Sequence, residues 1–261
     1  MNPSTPGDGA GWSAAEPEHW RGMLLVLAPV VLLACLLPPL ATLAREHVLA
    51  EALRFALLGY VVPPLLVLGL PVAVRDRLAG LPLGRRAAAR RESTAGPGQR
   101  HPLRRPRSLV APVAFVACAI VCRTPDVVNG VRNDPVLVLV EAAALLGTGC
   151  ALWVELLDTS AATAVTPGPL RMAMAAIPMW SIWIVAYMLG FSSIAWYRSF
   201  HHVAGGLSLA ADQEIACWIL WAIPGLVFVP VVFFTLASWL GGEERRAGNS
   251  RFGIRHVGPT G

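Results

Sequence analysis

The sequence predicts an all-α fold, a polytopic membrane helix bundle of about six transmembrane helices with both termini cytoplasmic. Three observations predict it. Of 261 residues, 55% are hydrophobic and only 14% charged, and the mean hydropathy of +0.58 is too high for a soluble globular surface. The apolar residues gather into six segments, most of them near the roughly 20 residues that a helix needs to cross a bilayer. The charges lie mainly in the connections and tails between them. A helix is the natural choice for each segment, because an open strand leaves backbone groups unsatisfied in lipid.

In chain order, residues 1–21 are rich in Gly, Pro, Ser and acidic side chains and read as a flexible N-terminal tail. Residues 22–242 form the expected membrane bundle, with apolar segments near 22–43, 51–74, 109–123, 135–157, 172–196 and 214–240. The third is the shortest. Between the second and third, residues 75–108 carry ten Arg against Asp76 and Glu92, a basic cytoplasmic loop by the positive-inside rule. That assignment puts both termini inside, and the basic tail at 243–261 agrees, with Arg245, Arg246, Arg251 and Arg255 against Glu243 and Glu244. Residues 44–50, 124–134 and 197–213 then face out, with Trp196 and Trp218 flanking the outer interface.

All 21 basic residues are Arg, and the formal charge is +5. Their place in loops and tails sets topology, which excludes nucleic acid as a main partner. The bilayer is the evident one. The five cysteines, Cys35, Cys118, Cys122, Cys150 and Cys217, fall in apolar segments, unlike the framework of a disulfide-stapled secreted domain. No nucleotide-binding loop, GxSxG elbow, HExxH or CxxC is present, so the sequence offers no catalytic constellation and a non-enzymatic protein is expected.

Ionisable residues inside apolar segments cost about 2.5 to 3.5 kcal/mol near a helix centre and are functional candidates by default. Glu51 and Arg54 are spaced i, i+3 to neutralise each other, and Glu141 can reach Arg54 or Arg123 across the bundle. These four form a candidate charge network. Cys118 and Cys122 share a helix face at i, i+4 and, with His201 and His202 on a loop, are the candidate metal ligands, copper(I) being the ion that thiolate and imidazole favour. His47 lies on another outer loop. Met172, Met174, Met179 and Met188 are ordinary apolar filler or soft ligands. Asp212 is placed to cap the sixth helix.

Two blocks carry a resemblance. HVLAEALRFALLGYVVPPLLVLGLP, from His47 to Pro71, contains Pro63, Pro64, Gly69 and Pro71, and LSLAADQEIACWILWAIPG, from Leu207 to Gly225, contains Asp212, Gln213 and Trp221. In order and spacing they resemble the CtaG-type cytochrome c oxidase assembly factors, with weaker similarity at residues 121–158. The resemblance implies an assembly factor in a bacterial plasma membrane, assisting copper loading or subunit maturation at its outer face. It implies a cytochrome c oxidase subunit and a copper chaperone as partners. The family's histidine motifs fall here on Glu51, Phe55, Arg123 and Ala142, so this is a divergent member with six spans where seven are more common. The alternative left open by buried charges and proline-interrupted helices is a small membrane transporter or copper-uptake component.

Overall fold

The computed structural model describes residues 19–71, 74–75, 77, 109–157, 168–192, 194, 196–197, 200 and 208–253. All regular structure among them is helical: α1 His19–Leu36, α2 Leu40–Glu46, α3 Val48–Gly69, α4 Val110–Cys122, α5 Pro125–Asn133, α6 Pro135–Leu157, α7 Gly168–Gly190 and α8 Leu209–Gly253. Five of these helices are long and apolar enough to cross a membrane, and α4 with α5, bent by 70° at their junction, makes a sixth if counted as one span.

Several segments differ from the sequence expectation for local reasons. The first one breaks after Leu36, where Pro38 and Pro39 remove two backbone donors, and resumes as the short α2. The third continues past its apolar run because Pro125 restarts the chain at the first position of α5. The fifth ends at Gly190, leaving Trp196 in the connection, and α8 runs on as helix to Gly253 through Glu243, Glu244, Arg245 and Arg246, all good helix formers.

The central helix is α3. It packs against α1, α2, α6 and α8, while α4 lies on α6 and α7, and α7 runs along α8. Its middle is a π turn over Leu57–Val61, in which the Val62 amide donates to Leu57 O, five residues back. Pro63 and Pro64 supply the cause: neither has an amide hydrogen, and the ring of Pro63 crowds the carbonyl of Gly59, so the helix widens by one residue. The widened turn meets α6 at Gly149, where an added Cβ would lie 2.7 Å from Pro63 Cγ and 3.3 Å from Gly59 O. Glycine is required by that close approach.

Gly69 plays the same part against α1, since a Cβ there would lie 3.0 Å from the backbone nitrogen of Leu25. Within the π turn, Tyr60 meets the rings of Phe115 and Phe228 edge-on, with centroids 5.3 and 6.1 Å away, and Trp153 stacks on Phe228. These aromatics join α3, α4, α6 and α8 in one core.

Candidate functional site

The segments at 37–47 and 123–134 and the described residues of the last connection, Trp196, Tyr197 and Ser208 among them, lie at one end of the bundle, tied by hydrogen bonds between them and to the helix ends. Just inside that end four charged side chains are buried together: Glu51 and Arg54 from α3, Arg123 from the end of α4, and Glu141 from α6. Each is at most 4% exposed. Arg54 Nη2 lies 3.3 Å from Glu141 Oε2, and Arg123 Nη1 is paired with Glu51 Oε2. The two pairs therefore run between helices. Glu51 and Arg54, one turn apart on α3, each reach outward to a different partner instead of neutralising each other along the helix.

Low dielectric explains why they do so. An ion leaving water loses several kcal/mol of solvation, and only close contact with an opposite charge offsets it. Glu141 feels Glu51, Arg54 and Arg123 together, so the two pairs are one electrostatic unit with no net charge. Arg123 is also held by rings. Its guanidinium lies 5.0 Å from the centroid of Phe55 and 5.3 Å from that of Tyr197.

Tyr197, which the sequence reading did not single out, closes the unit. Its hydroxyl accepts from Arg123 Nη2 at 3.0 Å and donates to Arg123 O at 3.1 Å. Burial holds this phenol above its ordinary titration range, with Arg123 opposing, so the hydroxyl keeps the proton it donates. A tyrosine in a polar loop, 74 residues from its partner, gives no local signal. Four buried polar atoms of the cluster have no hydrogen-bond partner among the described residues: Glu51 Oε1, Arg54 Nε, Arg123 Nε and Glu141 Oε1.

The Asp212 expectation needs correction. Ser208 stands at the start of α8, where its Oγ accepts from the Ala211 amide at 3.2 Å. Asp212, fully buried, instead receives the first two amides of α3, Val48 N at 2.6 Å and Leu49 N at 3.2 Å. Its carboxylate caps a neighbouring helix, where the dipole is positive. Gln213 beside it accepts from Trp196 N at 3.1 Å and donates to Leu189 O at 2.8 Å. Trp221 stacks on Trp183 and accepts through its carbonyl from Trp183 Nε1 at 2.8 Å. Pro63, Pro64 and Gly69 shape α3 as described above, and Pro71 follows its last turn, accepting from Val74 and Arg75.

Of the soft ligand candidates, Cys118 and Cys122 adjoin one another on α4, with the Thr148 hydroxyl of α6 beside Cys118. His201 and His202 lie outside the described residues. Among the described residues, no group of three His, Cys, Asp and Glu side chains is arranged to hold a metal ion. The four methionines are divided: Met174 and Met179 are buried and Met172 is half-buried, while Met188 faces out.

The profile of the cytochrome c oxidase caa3 assembly factor family matches residues 9–241. The chain belongs to that family. The match takes in every helix that frames the buried charges, from α1 to the apolar part of α8. No curated protein and no solved structure matches the chain. As a family member it is a membrane protein that associates with cytochrome c oxidase during its assembly.

Proposed function

We propose that this family member is a maturation scaffold, non-catalytic, that holds a cytochrome c oxidase subunit at the outer face of a bacterial plasma membrane. The observation that carries this reading is the interlocked set of ion pairs. Positions at which the resemblance implied histidines are Glu51 and Arg123, with Phe55 and Ala142 beside them, and here the two charges bind each other. Both carboxylates of the cluster face arginines, and hard oxygen donors engaged in this way do not suit copper(I). The unit joins α3, α4 and α6 and stiffens the end of the bundle on which a client would rest. The basic residues of the 75–108 loop support a cytoplasmic position for that loop and for both tails, and hence an outer position for the charged end.

The adjoining thiols of Cys118 and Cys122 favour a second reading in which copper(I), as cargo from a copper chaperone, is met by these two soft donors on its way to the oxidase. One experiment separates the two. Membranes from a strain lacking the gene, grown with and without added copper, are assayed for a-type haem absorbance and cytochrome c oxidase activity. Loss that copper does not restore supports the scaffold. Restoration by copper supports delivery, and normal oxidase in both media overturns the role in assembly.

A further inference from the structure

At the charged end, a cavity of about 160 Å³ opens between α1, α2, α3 and α6, and two arginines line it, Arg45 and Arg54. Arg54 is only 2% exposed, and its Nε has no partner among the described residues although one Nη is engaged by Glu141. Arg45, in the last turn of α2, is exposed, and its side chain meets no carboxylate among the described residues. The remaining wall is apolar, with Leu36, Val138 and Leu139, the last of these 58% exposed on the outer surface of α6.

We infer that this cavity is an anion site for a phosphate group, held between the guanidinium groups of Arg45 and Arg54. Charge balance points there first. Glu51, Arg54, Arg123 and Glu141 cancel, so Arg45 leaves the cavity one positive charge in excess, which a phosphodiester monoanion closes. Donor geometry points the same way, because guanidinium N–H groups arranged as a fork match phosphate oxygens, and a buried N–H without an acceptor is costly. A phosphate also fits the volume. Two sources offer that chemistry, the headgroup of an anionic phospholipid and free inorganic phosphate. The apolar wall that runs out to Leu139 gives an acyl chain a place to lie, which a free ion does not use.

The test uses the full chain, purified in detergent and stripped of lipid, with binding read by native mass spectrometry and by thermal midpoint. The probes are dioctanoyl phosphatidylglycerol, dioctanoylglycerol without phosphate, and inorganic phosphate. Phosphatidylglycerol is expected to bind saturably and raise the midpoint, with dioctanoylglycerol at least tenfold weaker and Arg45→Gln reducing phosphatidylglycerol affinity about tenfold. Saturable binding of inorganic phosphate that competes with the lipid and is weakened by R45Q assigns the same site to the free ion. Equal binding of lipid with and without phosphate, or unchanged affinity in R45Q, overturns the site. Arg45 carries the test because it is exposed and lies outside the ion pairs, so its substitution leaves the fold intact where that of Arg54 removes a buried charge.

Discussion

α1 and α3 are equally apolar along their membrane-length stretches, yet 11% of that stretch is buried inside the protein in the first and 67% in the second. Apolarity alone therefore does not say which helix faces lipid, since tails and leucines are equivalent surroundings for a leucine. What differs is the few residues that lipid rejects or that close contact requires. α3 carries Glu51, Arg54, a proline pair and a glycine at its contact with α1, whereas α1 has its one charged side chain, Arg21, in its first turn and presents Met23, Val26, Val30 and Leu33 outward. Ion pairs and small residues assign the centre of this bundle, and the apolar majority follows.

The strongest way to break that contrast is to unbalance the charges. Arg123→Ala leaves Glu51 buried and unpaired and is expected to lose about 3 to 5 kcal/mol, seen as a collapse in the yield of monodisperse protein from detergent extracts. The double variant Glu51→Gln with Arg123→Met is expected to recover most of that yield, because no charge is then left alone. If the single variant extracts and melts as the parent does, the cluster does not organise α3. Gly149→Val comes next. It drives a side chain into Pro63 and Gly59 O at the π turn, for an expected loss of about 1 to 3 kcal/mol, measurable as a lowered thermal midpoint.

Asp212→Ala removes the carboxylate from the first amides of α3 and is expected to cost roughly 1 kcal/mol. Hydrogen exchange should then speed up at Val48 and Leu49 while the far end of α8 is unchanged; uniform acceleration along both helices would contradict a local cap. The smallest effect belongs to α1. Val26→Ala at a lipid-facing position should shift stability by no more than about 0.5 kcal/mol, and a larger fall in midpoint would mean that this face of α1 is covered.

Much of this architecture was legible in the sequence. Pro135–Leu157 is helical over the same span that hydropathy picks out, because Asp134 and Pro135 mark its start: the Asp134 carboxylate accepts from Val136 N at 2.8 Å. The four buried charges stood out for the cost of placing them in an apolar segment. Their pairing was legible in part: Arg54 was within reach of Glu141 across the bundle and does meet it, whereas i, i+3 spacing favours Glu51 with Arg54 until the packing of α4 brings Arg123 to Glu51. The sharp bend between α4 and α5 was likewise hidden, because hydropathy records where polarity begins and not how the backbone turns. Tyr197 and the cross-helix cap by Asp212 depend on contacts 74 and 164 residues apart, beyond any local pattern.

That distant cap has a consequence for biosynthesis. α8 leaves the ribosome after the other described helices, yet its Asp212 satisfies the first amides of α3. Until it arrives, the middle helix of the bundle carries exposed backbone donors at its start. A nascent chain stalled before residue 209 holds the seven described helices that precede α8 and still presents a frayed centre, so the start of its middle helix is ordered only once residues 164 positions further on have been made.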